Sequence, residues 1–157
     1  MKLDLLYPYW TPAHEDLVEK LRFISDEQWN AMPAGESNVS IRLLVYRFIQ
    51  FERLWMHKIA QGRELEPLPV SDFKCREDYI SEFEAERART IVYLDSLPVE
   101  ALRAVRVAPA DPATNDVERN VPLSWIVWRV LEEELMTYGQ VRPLIEMTSA
   151  RIPGIKR

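Results

Sequence analysis

The stretch Trp125-Ile-Val-Trp-Arg-Val-Leu-Glu-Glu-Glu-Leu-Met-Thr-Tyr-Gly-Gln140 decides how the rest of the chain is read. Ile126, Val130, Glu133, Thr137, Val141 and Leu144 recur at spacings of four, three, four, four and three, so they share one face of a helix. The helix starts at Pro122, whose missing N–H costs nothing at a first helical position, and runs to about Thr148. Pro143 lies inside it and predicts a kink or a lost hydrogen bond. Two polar residues, Glu133 and Thr137, interrupt an otherwise apolar stripe. An ionised carboxylate on a core face needs a partner, a metal, water or a cavity. Arg129, one turn earlier, and Arg47 are the candidate partners of Glu133.

Working back along the chain, the same periodicity returns. The first helix is expected from Thr11, with Thr11 as cap and Pro12 at the first helical position. Ser25 and Asp26 start a short turn, and Pro33 to Asn38 reads as loop. The second helix spans about Val39 to Gln61, with Ile41, Leu44, Phe48, Phe51, Trp55 and Ile59 as its apolar stripe and Gly62 as its stop. A linker with Pro67 and Pro69 leads to the third helix, about Arg76 to Ser96, which buries Tyr79, Ile80, Phe83, Ile91 and Leu94. Val99 to Ala104 reads as a helical turn. Val105 to Val121 is an irregular excursion with a short extended piece at Val105 to Val107. Arg151 to Arg157 reads as loop. Four long amphipathic helices in one short chain predict an all-α four-helix bundle, a single domain over residues 1–157, with a long irregular connection before the last helix.

Composition narrows the function classes. The chain has 157 residues, 47% of them hydrophobic and 29% charged, the balance of a globular domain with a real core. Twenty basic against twenty-five acidic residues give a net charge of −5, which argues against a general nucleic-acid partner. Four glycines leave little room for a phosphate-cradling loop. The single cysteine, Cys75, forms no intrachain disulfide and fits a reducing cytoplasm. The N-terminus lacks the basic start and apolar run of a signal peptide, and no apolar stretch reaches the length of a membrane span. A cytoplasmic protein with neither membrane nor nucleic-acid partner is therefore expected.

The last-helix stretch resembles that of the DinB/YfiT-like superfamily, whose members often read W-H-x-x-x-H-E-x-x-H-R-G-Q there. Glu133-Glu134-Leu135 and Gly139-Gln140 carry the match. Upstream, Ser40-Ile-Arg-Leu-Leu-Val-Tyr-Arg-Phe-Ile-Gln-Phe-Glu-Arg-Leu-Trp55 resembles the superfamily's second helix. The order of elements fits over nearly the whole chain. This resemblance implies a four-helix bundle, a homodimer and a divalent metal held by three histidines, one from the second helix and two from the fourth. Carried onto this chain, those positions are Tyr46, Glu133 and Thr137, and none is histidine. Such a set suits zinc or nickel poorly. The expectation is thus a metal-free, small-ligand-binding or structural member with a degenerate metal site and no cofactor. The alternative is a metal-dependent hydrolase or a thiol-dependent transferase with an atypical site around Glu133. The candidate pocket comprises Tyr46, Glu133, Thr137, Arg129 and Gln140.

Other chemistry-bearing residues carry bland readings beside the sharp ones. His14 and His57, the two histidines, fall at no ligand position and are expected at the surface or its boundary. Cys75 opens the third helix, where a helix N-terminus lowers a thiol pKa, yet a lone cysteine there is commonly incidental. Trp125 and Trp128 line one edge of the last helix. They mark either a dimer contact or packing against the segment Met1 to Trp10.

Overall fold

The computed structural model describes residues 3–32, 39–110 and 117–149. Its order is α1 (Leu3–Leu6), α2 (Trp10–Phe23), α3 (Asp26–Asn30), α4 (Ile41–Glu52), a π-helical segment (Arg53–Ile59) and a single 3₁₀ turn (Val70–Asp72). After these come α5 (Arg76–Asp95), a second 3₁₀ turn (Val99–Arg103), β1 (Val105–Ala108), β2 (Arg119–Pro122) and α6 (Leu123–Ser149). The protein is all-α in the DinB-like manner, with one small hairpin as its only sheet among the described residues. No described helix is long and apolar enough to cross a membrane.

Four helices form a square. α4 packs against α5 and α6, and α2 packs against the same two, so α2 and α4 face each other across the centre. The apolar stripes meet there: Trp10, Leu17 and Leu21 from α2, Phe48 and Ile49 from α4, Phe83 and Leu94 from α5, Ile126, Val130 and Val141 from α6. Each fully buried large apolar side chain stabilises the fold by roughly 1.5–3 kcal/mol. Phe48 and Phe83 add an edge-to-face contact at 5.4 Å.

Local signals set most of the helix ends. Ser25 caps α3: its hydroxyl accepts from the Gln28 N–H at 3.2 Å while the Gln28 amide oxygen accepts from the Ser25 N–H at 2.9 Å. The Gln28 side chain also donates to the Ile145 carbonyl at 3.3 Å, tying α3 to α6. Ser40 caps α4 by accepting from the Leu43 N–H at 3.2 Å. Gly62, with φ of 69°, takes the left-handed conformation that ends the second long helix.

Three local expectations change. α2 begins at Trp10 with Tyr9 before it, so Thr11 lies inside the helix rather than capping it. Pro12 is still tolerated, because the first-turn N–H groups have no partner within the helix. The second long helix is α-helical only to Glu52, and its last seven residues are wound wider. Pro122 belongs to β2 instead of opening α6, because Val105 and Arg106 pair with Pro122 and Val121 across the hairpin. Leu123 then starts α6, donating its N–H to the Ala104 carbonyl at 2.9 Å. The loop expected over Pro33 to Asn38 and the tail Arg151 to Arg157 lie outside the described residues, as does 111–116 of the excursion.

Candidate functional site

The centre of the bundle is polar. Glu134 on α6 is 1% exposed and makes three contacts with two other helices. Trp10 Nε1 donates to its Oε2 at 2.6 Å and Arg87 Nη2 to the same oxygen at 2.7 Å, while His14 Nδ1 lies 2.7 Å from Oε1. The same Arg87 Nη2 reaches Glu52 Oε2 on α4 at 3.3 Å and so joins a second carboxylate to the cluster. Thr90, one turn along α5 from Arg87, donates to Glu52 Oε1 at 2.7 Å. Glu52 is wholly buried, and that burial pushes its carboxyl above the ordinary range against the pull of Arg87. The Arg87 guanidinium lies over the Trp10 ring at 4.3 Å, while its Nε and Nη1 are buried without a hydrogen-bond partner. The Arg87 guanidinium thus lies between Glu52 and Glu134.

A second cluster lies where the π-helical segment meets α5. His57 Nε2 is 2.6 Å from Glu86 Oε2. The other oxygen, Oε1, accepts from Arg89 at 2.6 Å and lies 3.4 Å from Arg53 Nε. Burial raises the Glu86 carboxyl, but the hydrogen bond and charge of His57, helped by Arg89, outweigh it and hold the group below its ordinary value. In the π segment the Ala60 N–H donates to the Trp55 carbonyl five residues back, at 2.9 Å. Such single π turns recur at functional sites.

The residues singled out from sequence do not form one site. Glu133 lies on the flank of α6, its side chain 27% exposed, and pairs with Arg129 at 3.4 Å. That confirms Arg129 as its partner; Arg129 also bonds Glu132 at 2.9 Å and lies over the Phe51 ring at 5.0 Å. Tyr46 turns the other way. Its hydroxyl donates to the Leu68 carbonyl at 3.0 Å and its ring meets Phe73 and Tyr79 edge-on. Among the described residues no hydrogen bond joins Tyr46 to Glu133 or Thr137. Thr137 is buried and Gln140 is exposed. A divalent metal at the three inherited positions is therefore a poor fit: one hydroxyl is spent on a carbonyl, and the carboxylate is spent on an arginine. No group of three His, Cys, Asp or Glu among the described residues is arranged to hold a metal ion.

Sequence reading missed both clusters. Val130, Glu134, Thr137 and Val141 also run at spacings of four, three and four, so periodicity admitted Glu134 as readily as Glu133. Glu52 stands four residues from both Phe48 and Met56, which is the signal that could have found it. His14 and His57, expected at the surface or its boundary, are both buried, each against a glutamate from another helix. Cys75 is exposed and free at the start of α5. Trp125 packs edge-on against Trp55 at 5.5 Å, whereas Trp128 contacts Tyr7 at 6.4 Å and stays 47% exposed.

The mycothiol-S-transferase family model matches residues 6–148. The chain belongs to the mycothiol-S-transferase family, within the DinB/YfiT-like superfamily. No curated protein matches the chain. The matched span includes every residue of both buried clusters.

Proposed function

We propose that this chain binds a low-molecular-weight thiol of the mycothiol class and joins it through its sulfur to a small electrophile, without a three-histidine metal centre. The family match over residues 6–148 carries the thiol and the reaction type. The donor chemistry at Tyr46, Glu133 and Thr137 supports the metal-free form, since those side chains are occupied by Leu68, by Arg129 and by the core. A reducing cytoplasm, which keeps both such a thiol and Cys75 reduced, is the compartment we propose.

The test is turnover of mycothiol with monochlorobimane by the purified protein, with and without a chelator and with added zinc. The expected result is bimane conjugation above the buffer rate that neither chelator nor zinc changes by more than about twofold. Conjugation abolished by chelator and restored by zinc would overturn the metal-free form. A rate no greater than that of buffer would overturn the transfer. The departure at the inherited ligand positions favours a second reading, a member that binds the thiol and does not transfer it. Mycothiol binding without conjugation would establish that one.

A further inference from the structure

The cluster at His57 has open space beside it. Two clefts, of about 350 and 390 Å³, share His57, Arg63 and Arg89 along their walls. Either is large enough for a small molecule. His57 uses Nε2 on Glu86. Its Nδ1 has no hydrogen bond among the described residues, and it is not among the side-chain nitrogens sealed from solvent. In the neutral imidazole, a carboxylate at Nε2 selects the tautomer that carries its proton there and leaves a lone pair on Nδ1. Arg63 is exposed, and among the described residues its guanidinium has no ion-pair partner. The charged groups around the imidazole are Arg53 on its own segment, Glu86, Arg89 and Glu82 from α5, and Arg63, Glu64 and Glu66 from the following linker.

We infer that the cleft at His57 is a thiol site in which the imidazole takes the thiol's proton while the guanidinium of Arg63 faces the resulting thiolate. This rests on the thiol-transfer reading and supplies the base it lacks. The arrangement is that of a general base oriented by a carboxylate: Glu86 stabilises the imidazolium as it forms, and Arg53 and Arg89 hold Glu86 in place. The step balances without an outside oxidant or reductant. The S–H bond gives its proton to Nδ1 and leaves the pair on sulfur. The thiolate forms an S–C bond to an alkyl halide, whose C–halogen bond breaks with the pair leaving on halide. The imidazolium returns its proton to water.

Two readouts test this on the full-length protein. The first is NMR of the two imidazoles, assigned by through-bond correlation to the backbone, while mycothiol is added near neutral pH. The His57 signals are expected to move toward the imidazolium position and those of His14 to stay. The second is conjugation of monochlorobimane. His57→Gln is expected to lower kcat/KM with mycothiol by roughly 10²–10⁴-fold. An arenethiol, already ionised at that pH, should lose less than about tenfold, because the proton has left before binding. Arg63→Ala, an exposed position that does not threaten folding, should raise KM several-fold. Turnover that survives His57→Gln, with no shift of the His57 signals, overturns the base and leaves the transfer reading standing. Shifted signals without turnover keep the thiol site and sink the transfer reading. Neither shift nor turnover sinks both. Should His57→Gln fail to fold, the wild-type NMR titration and Arg63→Ala still decide the matter.

Discussion

The two polar clusters use the same pair of residue types at different depths. At the centre, His14 and Glu134 meet between α2 and α6, and Glu134 is closed in further by Trp10 and Arg87. At the edge, His57 and Glu86 meet between the π-helical segment and α5, with two clefts beside them. Glu86 and Arg87 are consecutive on α5, so one helix feeds both clusters from adjacent faces. Depth decides what each can do. A carboxylate that accepts Trp10, His14 and Arg87 has few lone pairs left for a ligand. A histidine with one nitrogen held by a carboxylate and the ring lining a cleft has a fixed orientation there. The central cluster joins α2, α4, α5 and α6, and the outer one borders two clefts.

The largest expected effect lies at the centre. Glu134→Gln keeps the shape and removes the charge, leaving Arg87 with only the longer contact to Glu52. Breaking a buried ion pair in this way costs roughly 3–5 kcal/mol. Glu133→Gln, one residue away and paired with Arg129 at a partly exposed position, should change stability by less than about 0.5 kcal/mol. Urea unfolding of the two variants side by side measures the contrast. Similar losses from both would mean that α6 does not present Glu134 inward.

That contrast also shows how much the sequence carried. The helices were legible because their apolar residues repeat at three and four, and the order of elements followed from the prolines and Gly62 between them. The choice between Glu133 and Glu134 was not legible. A helix of 3.6 residues per turn places both near the line from Val130 to Thr137, and the neighbours on α2 and α5 decide which one turns in. Glu52 was hidden for a related reason. Phe51 and Trp55 drew the stripe toward themselves, yet in the structure they are half-buried, while Glu52 and Met56 face the centre. The hairpin is half-legible: Val105 to Val107 read as extended, but of its partner strand Arg119 to Val121 read as irregular and Pro122 as a helix start, because register between strands depends on a contact that local pattern does not encode. His14 and His57 needed their glutamates from distant helices before their burial made sense.

The outer cluster should respond less, and its response should depend on pH. Glu86→Gln leaves His57, Arg53 and Arg89 without their shared acceptor, for a loss of roughly 1–3 kcal/mol at neutral pH. The sign follows from the direction of the shift. The Glu86 carboxyl is held below its ordinary value of 4.5 in the folded protein, so the folded state favours its ionised form. That stabilisation is present above the unfolded value and is lost as pH falls through the folded one. Wild type and variant should therefore converge in urea stability at acid pH. A gap that stays constant down to the acid limb would show that the charge of Glu86 contributes nothing.

Glu52 is expected to run the opposite way with the smallest amplitude. Burial raises its carboxyl above the ordinary 4.5, and Glu134 nearby raises it further, while Arg87 pulls it down. A raised folded value means that the folded state favours the protonated form. The contribution to stability is then full below the unfolded value and declines as pH rises toward the folded one. Gln at this position mimics the protonated acid and does not titrate. Glu52→Gln should thus match wild type in acid and become the more stable of the two as pH rises, measured by thermal or urea unfolding across that range. One arginine shared between two buried carboxylates is the physical reason: it can neutralise Glu134 or Glu52, and its shorter bond, 2.7 Å against 3.3 Å, goes to Glu134. If Glu52→Gln is instead destabilising at neutral pH by as much as Glu134→Gln, the guanidinium serves both carboxylates equally, and the central cluster must be read as a symmetric bridge.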